Sequence, residues 1–380
     1  MKVIISILVF ILGIFTATSQ ISSIAEEFAL PASLSESSGI IYFNDKLITH
    51  NDSGGNNELY EVDLVTGLVK RTVTITNATN TDWEDLAQDE THIYIGDIGN
   101  NFSGNRTDLK IYKISKSDYL NADNVTAETI LFNYSDQTDF TALSPNTTEW
   151  DAEALVSFDA DNLILFTKNW VDGTTKGYLI PKSPGAYGLS PLQTTLNAGG
   201  LISGATYNIL SGKLFLVGYT APVLPSPLQP FVWKCENFSG NDILSGINTL
   251  ANLSTTFGFE QTEAITYRDE SSYYVTSEAF SVSIISDYAK LISFSSSDMA
   301  LSTATTQKEN DIVLYPNPVS DVLQMNTERL NSVEIYDTKL TQLYRGFSNN
   351  IDMSSFSNGI YIVRVNLNNN TYIIKKVVKK

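Results

Sequence analysis

The chain has 380 residues, and its 42 acidic and 24 basic side chains give a formal net charge of −18. The charge is uneven, since residues 21–311 hold 37 acidic and 15 basic residues, whereas residues 312–380 carry a net charge of +3. Such an acidic field disfavours binding to nucleic acids and anionic membranes, and it favours cations or neutral partners such as glycans. Solubility is the other explanation of the acidity.

Histidine and cysteine are scarce. The chain has two histidines, His50 and His92, and one cysteine, Cys235. A single cysteine excludes an intramolecular disulfide, and its apolar neighbours predict a buried, inert thiol. A multi-histidine or cysteine-based zinc site cannot be built from these residues, and a Ser-His-Asp triad would have to use one of the two histidines. The sequence contains no P-loop, GxSxG or GxGxxG motif.

Residues 1–20 predict a signal peptide. Lys2 supplies a positive charge, the run from Val3 to Phe15 is apolar, and small or polar residues follow up to Gln20. The apolar run is shorter than the ~20 residues of an ordinary membrane span; an N-terminal anchor is the alternative. No other stretch is apolar enough to span a bilayer, so we expect no transmembrane span in the mature chain.

Residues 21–298 are rich in strand-forming residues and contain a recurring unit. Its copies start at Ser38, Glu84, Glu153, Ser203 and Glu263, at spacings of 46, 69, 50 and 60 residues. Four-stranded units of this length, repeated radially, predict an all-β fold, a β-propeller. Five copies favour five blades; the long interval leaves six blades open, and a β-sandwich is the alternative fold. The last copy lacks an outer strand, which we expect the segment Glu26–Leu30 to supply, closing the ring.

In a propeller, the first strand of each blade runs beside the central axis. We therefore expect Glu84, Glu153 and Glu263 to converge there as candidate metal ligands. Carboxylate and amide oxygens suit Ca²⁺, which is the one cofactor that the sequence suggests. The alternative is that each glutamate caps the backbone of the neighbouring blade. No catalytic residue is assigned. The full set of candidate ligand-binding residues is Asn51, Asp52, Glu84, Asp85, Asp97, Asn100, Asn101, Arg106, Glu153, Lys168, Glu263 and Glu278.

Residues 312–380, which follow a predicted linker at 299–311, show three alternating strand patterns and a basic end. The distinctive residues are Tyr315, Pro316, Asn317, Pro318, Gly359, Tyr361, Lys375 and Lys376. This segment resembles the type A sorting domain of type IX secretion, the Por system of Bacteroidetes. It departs from that family at Lys339-Leu340-Thr341, where a glycine-containing turn is usual. The resemblance implies an immunoglobulin-like sandwich recognised by the secretion machinery, and a protein that is secreted or attached to the outer-membrane surface. An ordinary C-terminal binding sandwich is the alternative.

A second resemblance concerns residues 25–298. The segments Glu36-Ser37-Ser38-Gly39-Ile40 and His50-Asn51-Asp52-Ser53-Gly54 resemble a propeller group that includes phytase-like esterase domains and SdiA-regulated propellers. The resemblance implies the fold more than an activity. The basic phosphate-binding residues expected of a phytase are sparse here.

Three functions stay open. The first, which we favour because no nucleophile–base pair is visible, is a ligand-binding module for a glycan, peptide or other surface component, with a calcium site. The second is a hydrolase of phosphoesters or glycosides, whose paired carboxylates act as acid and base or hold a metal-activated water. That hydrolase requires carboxyl oxygens within ~5–10 Å of each other. The third is a structural extracellular module, whose stability Ca²⁺ would not change.

Overall fold

The computed structural model describes residues 20–52, 54–221, 227–282, 285–297, 312–327, 330–337, 341–367 and 372–380. These residues form an all-β protein that divides into two compact units, Met1–Met299 (the large unit) and Ala300–Lys380 (the C-terminal unit). The predicted linker lies outside the described residues, as does the predicted signal peptide apart from Gln20. No helix in the described ranges is long and apolar enough to cross a membrane.

The large unit begins with strand β1 (Gln20–Ala29) and a short 3-10 helix (Ala32–Leu34), and then builds five sheets, A to E. Sheet A starts with β2 (Ser37–Phe43), β3 (Lys46–Asn51), β4 (Glu58–Val62) and β5 (Val69–Ile75). Sheet B follows with β6 (Trp83–Gln88), β7 (His92–Asp97), β8 (Lys110–Ser115) and β10 (Glu128–Tyr134). Helix α1 (Lys116–Asn121) and strand β9 (Asn124–Val125) lie between β8 and β10 in the chain.

Sheets C to E repeat this plan. Sheet C contains β11 (Ala152–Ser157), β12 (Asn162–Thr167) and β13 (Thr174–Pro181), followed by β14 (Gly185–Leu189) and β15 (Pro191–Asn197). Sheet D contains β16 (Leu201–Asn208), β17 (Lys213–Tyr219), β18 (Pro230–Glu236) and β19 (Ile247–Asn252), and helix α2 (Ser254–Phe257) follows it. The last part has β20 (Gln261–Tyr267), β21 (Ser272–Glu278), the hairpin β22 (Phe280–Val282) with β23 (Ile285–Asp287), and β24 (Lys290–Ser297).

Two short strands join neighbouring sheets. Strand β9 extends sheet A by pairing in parallel with β5, and β14 extends sheet B by pairing in parallel with β10. The insertion of α1 and β9, together with the irregular segment between β10 and β11, accounts for the 69-residue interval between two of the unit starts. The long interval therefore does not contain a further complete sheet.

The first strands of the five sheets form a ring. Strand β2 lies beside β6, β6 beside β11, β11 beside β16, β16 beside β20, and β20 beside β2. The N-terminal strand β1 pairs with β24, which gives sheet E the order β1-β24-β21-β20. The expectation that the segment from Glu26 supplies the outer strand of the last unit is thus confirmed. This pairing covers the open edge of β24, which would otherwise be an aggregation-prone edge.

A β-bulge interrupts each of the five ring strands at the same place. In β6, β11, β16 and β20 the ladder skips one residue: Glu84, Glu153, Ser203 and Glu263 respectively. In β2 the ladder skips Ser38 and Gly39. A bulge breaks the regular alternation and re-aims the side chain of the extra residue. The five unit starts read from the sequence are therefore structurally equivalent positions.

The core of the large unit lies between the sheets. In sheets A to D the first two strands are the most buried, because other sheets pack against them. Strands β7, β12 and β17 are buried along nearly their whole length, which explains why their sequences are almost continuously apolar. This tight packing fixes the ring strands rigidly enough to position polar side chains near the axis.

The C-terminal unit is a two-sheet sandwich. Its strands are β25 (Leu314–Tyr315), β26 (Val322–Met325), β27 (Leu330–Tyr336), β28 (Gln342–Gly346), β29 (Asn350–Asp352), β30 (Gly359–Leu367) and β31 (Tyr372–Lys379). One sheet has the order β25-β26-β29, and the other has the order β28-β27-β30-β31. Leu323 and Ile351 of the first sheet share one buried core with Val333, Val363 and Val377 of the second. At the departure from the sorting family, Lys339 and Leu340 lie outside the described residues.

Candidate functional site

The bulges bring carboxylates of adjacent sheets together. Asp52, Asp82 and Glu84 form one group, the first acidic group, and Glu84, Asp151 and Glu153 form a second. Within each group, every residue offers an oxygen that lies within 4.8 Å of the others. Asp52 is half-buried, and the other four are buried. Glu84 belongs to both groups and so links them.

One oxygen of this pair of groups stands out. Glu84 Oε1 is buried and has no hydrogen-bond partner among the residues that the structure describes. Beside it lies Gly99, where an added Cβ would be 2.1 Å from Glu84 Oε1 and 2.4 Å from Asp82 Oδ2. Both oxygens therefore point toward the same place, and a side chain at position 99 would displace them. An unpaired buried oxygen is costly.

Lys168 lies against the second acidic group. It follows β12, its Nζ is 2.5 Å from Glu153 Oε2, and both side chains are about 95% buried. Its Nζ also lies 5.1 Å from the ring centroid of Trp170 and 5.3 Å from that of Tyr219, within the range of cation–π attraction. Trp170 Nε1 in turn donates a hydrogen bond to Asp151 Oδ2 at 2.7 Å. The second group thus already holds a cation.

The carboxylates favour protons in the absence of a cation. Burial and the charges of Asp52 and Asp151 raise the pKa of Asp82 to about 7. Burial, followed by the charges of Asp52 and Glu153, raises the pKa of Glu84 well above its usual value. Burial also raises the pKa of Glu153, although Lys168 opposes that shift. Converging like charges in a dry environment have this effect.

Glu263 and Glu278 lie further along the ring. Glu263 is buried, and burial raises its pKa well above the usual value, while Lys168 opposes this and Glu278 adds to it. Gln261 Nε2 donates a hydrogen bond to Glu278 Oε1, and burial with the charge of Asp52 raises the pKa of Glu278 to about 7. In the described part of the chain, neither residue belongs to a group of three potential ligands. Of the three glutamates predicted as metal ligands, the structure brings Glu84 and Glu153 together and leaves Glu263 outside both acidic groups.

The loop after β7 is held by internal contacts. Arg106 donates to Asp97 Oδ1 at 2.8 Å and to the Gly99 carbonyl at 2.7 Å, while Asp97 also accepts a hydrogen bond from the Asp82 backbone N–H. The Asn100 backbone N–H donates to Asp151 Oδ1 at 2.6 Å. These contacts position Gly99, Asp82 and Asp151, so Asp97, Asn100 and Arg106 support the acidic groups and do not belong to them.

Asp85 makes a different set of contacts. It is fully buried, and its carboxylate accepts hydrogen bonds from the backbone N–H groups of Leu86 at 2.8 Å, Leu155 at 2.8 Å and Ala205 at 3.4 Å. These partners belong to β6, β11 and β16, so one side chain ties three ring strands together. Asp85 therefore caps backbone N–H groups of neighbouring strands, which is the role that the sequence analysis gave as the alternative for the glutamates.

The remaining predicted residues lie at the edge of this region. Asn51 ends β3 and donates to the Ser33 carbonyl at 2.8 Å, while the Asn101 carbonyl accepts a hydrogen bond from the Asn146 backbone N–H at 2.9 Å. The predicted set omitted Asp82 and Asp151. A signal for both was present, because each stands two residues before its bulge glutamate in the pattern Asp-x-Glu.

In the C-terminal unit, the motif residue Asn317 near the start of the unit contacts the last strand, β31. The Asn317 side chain donates to the Lys376 carbonyl at 2.9 Å and accepts from the Val378 backbone N–H at 2.9 Å. Tyr315 ends β25, Pro316 and Pro318 follow cis peptide bonds, and Gly359 begins β30. The Tyr361 hydroxyl donates to the Ser357 carbonyl at 2.7 Å, and Lys375 lies in β31. The motif thus fixes the last strand.

Residues 313–380 match the family described as the secretion system C-terminal sorting domain. This segment is a type IX secretion sorting domain. The sorting domain marks the protein as secreted or attached to the outer-membrane surface, and it implies an interaction with the type IX secretion machinery. The localisation predicted from the sequence is confirmed.

No curated protein sequence matches this chain significantly. Among solved structures, similarity is found to PorZ of Porphyromonas gingivalis, a surface component of the type IX secretion system, with 9% identity and a TM-score of 0.34. The match covers 90% of this chain and 45% of the PorZ chain, so this chain spans less than half the length of that relative.

Two enzymes of known structure are similar to a comparable degree. A GH32 β-fructofuranosidase of Bombyx mori has 9% identity and a TM-score of 0.40, with 91% of this chain and 86% of the enzyme covered. An intramolecular trans-sialidase of Ruminococcus gnavus has 10% identity and a TM-score of 0.37, with 67% of this chain and 57% of the enzyme covered. Similarity at this level assigns no activity to this protein, which is called the sorted protein below after its C-terminal sorting domain.

Proposed function

We propose that the sorted protein is a cell-surface ligand-binding module, built on a five-bladed β-propeller, whose axial carboxylates hold a divalent cation. The ring of five first strands supports the blade count, because each sheet contributes one strand and β1 completes the fifth sheet. The two-sheet sandwich of the C-terminal unit supports the immunoglobulin-like architecture that its sorting family implies.

The observation that carries the cation is the unpaired Glu84 Oε1 in the first acidic group. It is buried, it has no hydrogen-bond partner among the described residues, and it points to the same place as Asp82 Oδ2. A bound cation supplies the missing partner and neutralises carboxylates that otherwise repel one another. The ligand set is all oxygen, which favours a hard ion such as Ca²⁺.

The differing burial of the residues in the first acidic group gives an external molecule access to the ion. Asp52 is half-buried, whereas Glu84 and Asp82 are buried. A cation held by these three residues is therefore enclosed on the Glu84 side and accessible on the Asp52 side. Calcium takes six to eight oxygen ligands, so positions remain for hydroxyl or carboxylate oxygens of an external molecule. A surface glycan or an acidic peptide has this chemistry.

Calcium is expected to raise the melting temperature of the protein by about 5 °C at a concentration 100-fold above its dissociation constant, since binding to the folded state alone stabilises it by mass action. The measurement compares thermal melts in EDTA and in millimolar CaCl₂. Glu84→Gln keeps the side-chain shape and removes the shared charge, so it should abolish most of the calcium effect. Glu270→Gln, a change at an exposed carboxylate outside the groups, should keep it.

An unchanged melt of the natural protein in CaCl₂ would favour a purely structural module and would contradict the cation proposal. A calcium effect that survives in Glu84→Gln would place the ion elsewhere in the chain.

A hydrolase remains the second candidate. One carboxylate oxygen from each of Glu84, Asp151 and Glu153 lies within 4.8 Å of the others, which is close to the ~5–5.5 Å separation of the two carboxyl groups in a retaining glycosidase. Their burial weighs against it, because a glycosidic or phosphoester bond has to reach both carboxylates. We expect no turnover of nitrophenyl glycosides or nitrophenyl phosphate with or without Ca²⁺. Turnover that Glu153→Gln removes would reverse this order of preference.

Deletion of residues 312–380 is expected to stop export and leave the large unit in the periplasm, because the sorting domain addresses the protein to the secretion machinery. Immunoblots of periplasmic and surface fractions measure the distribution. A truncation within the predicted linker, after residue 311, serves as the test chain, and the full chain serves as its control. Surface exposure of the truncated chain would show that export depends on another segment.

A further inference from the structure

The two acidic groups share Glu84 but differ in their surroundings. Each group offers three carboxylates within 4.8 Å of one another. In the second group, Glu153 accepts a hydrogen bond from Lys168 Nζ at 2.5 Å. Glu84 belongs to both groups, but its Oε1 lies beside Asp82 Oδ2 of the first group and has no hydrogen-bond partner among the described residues. Two equivalent arrangements of oxygens therefore stand side by side, and one of them is neutralised from within the chain.

The ammonium of Lys168 has a built site. Lys168 is 4% exposed, and its Nζ lies 5.1 Å from the ring centroid of Trp170 and 5.3 Å from that of Tyr219. Asp151 is held in place by bonds from Trp170 Nε1 at 2.7 Å and from the Asn100 backbone at 2.6 Å. Packing and aromatic faces thus hold the charge against the carboxylates, and it cannot swing out to solvent as a surface lysine does.

We propose that Lys168 fills the second of two cation positions, so that the natural protein takes one divalent ion, at the first acidic group, and loss of the lysine charge opens a second position joined to the first through Glu84. This inference rests on the proposed calcium site. The ammonium excludes a metal ion from the second group in two ways: it fills the space beside Glu153, and its charge repels a second cation at short range. Lys168 therefore determines how many divalent ions one chain binds.

The test is the number of calcium ions bound per chain, measured by isothermal titration calorimetry on the full folded chain and checked by equilibrium dialysis with elemental analysis. The natural protein is expected to bind one ion. Lys168→Met keeps an unbranched apolar side chain beside the aromatic rings and removes the ammonium, and it is expected to bind two. Lys168→Arg keeps a positive charge and is expected to bind one.

Lys182 offers a matched control. It is also a buried lysine, its Nζ lies 3.0 Å from Asp89 Oδ2 and 5.6 Å from the ring centroid of Tyr94, and it belongs to neither acidic group. Lys182→Met therefore removes a similar buried ion pair without opening a cation position, and it should bind one ion. Its melting temperature in EDTA separates the general cost of losing a buried lysine from an effect on the site.

The outcomes separate the two proposals. One ion in the natural protein and one in Lys168→Met would overturn the role of Lys168 and leave the calcium site in place. No ion in either would overturn the calcium site itself. If Lys168→Met is unfolded in EDTA, Lys168→Gln in the presence of CaCl₂ replaces it, because a second bound ion should restore its melting temperature more than calcium raises that of the natural protein. Failure of calcium to do so in a folded variant would also contradict the inference.

Discussion

Replacement of Asp85 by alanine is expected to lower the free energy of unfolding of the large unit by about 3 kcal/mol, since a buried backbone donor left unpaired costs ~1–3 kcal/mol and this change orphans at least two. The carboxylate accepts bonds from Leu86 and Leu155 at 2.8 Å, and from Ala205 at 3.4 Å. The last contact is the longest and contributes least. The loss is partly offset because the change also removes a buried carboxylate.

No other residue at the equivalent position can take over this role. The residues that follow the unit starts Ser38, Glu153, Ser203 and Glu263 in the other ring strands are Gly39, Ala154, Gly204 and Ala264. None has a side chain with a hydrogen-bonding group. A Cβ at Gly39 would lie 2.6 Å from the Leu86 backbone nitrogen, and one at Gly204 would lie 2.4 Å from the Glu263 carbonyl oxygen. The ring therefore has room for a single carboxylate at this level, and Asp85 supplies it.

Urea unfolding followed by tryptophan fluorescence and circular dichroism measures this effect. Asp85→Asn is expected to be intermediate, because its single carbonyl oxygen can serve Leu86 or the Leu155 side but not both. Glu270→Ala, at an exposed carboxylate, should change the stability by less than about 0.5 kcal/mol. An alanine variant at 85 as stable as the natural protein would mean that water replaces the lost acceptor.

The sequence predicted the repeat because each copy carries the same local signal. A polar residue, a small residue and an apolar strand follow one another at Ser38, Glu153, Ser203 and Glu263, and the ladder skips those residues in the structure. The first and second strands of each unit can be predicted from the sequence pattern alone. The parallel pairing of β9 and β14 could not be predicted in this way, because both strands are short. Each pairs with the preceding sheet, and tertiary packing decides that pairing.

The site was predicted less completely than the fold. The repeat alignment placed Glu84 and Glu153 near one axis, but it could not separate a ligand from a supporting residue. Asp97 and Arg106 looked like binding residues because charged side chains are dense in that loop, whereas in the structure they form an ion pair with each other at 2.8 Å. The distinction depends on which hydrogen bonds are made, and a one-dimensional pattern does not contain that information.

The metal-free protein is expected to lose stability as the pH rises from 6.5 to 8, which is the reverse of ordinary acid unfolding. In the folded state, burial and neighbouring carboxylates raise the pKa values of Asp82 and Glu278 to about 7 and hold that of Glu84 well above its usual range. In the unfolded chain these groups titrate near pH 4. Between the two values the folded state binds more protons than the unfolded state, so the free energy of unfolding falls as protons are removed.

The choice of pH window follows from His50. Burial lowers the pKa of His50 to about 4, whereas an unfolded histidine titrates near 6.5. Its contribution therefore rises with pH between these values and is complete above pH 7. Near pH 6.5 the histidine still partly opposes the carboxylates, and above pH 7 the effect of the carboxylates dominates.

Melting temperatures in EDTA at pH 6.5, 7.2 and 8.0 measure this slope, which should correspond to a loss on the order of 2 kcal/mol across the range. Added Ca²⁺ should flatten the slope, because a bound cation stabilises the ionised carboxylates that deprotonation creates. The calcium-induced rise in melting temperature should therefore be larger at pH 8.0 than at pH 6.5. Asp82→Asn should reduce the slope in EDTA, and a melting temperature that rises with pH in EDTA would show that these carboxylates are already ionised or paired in the folded protein.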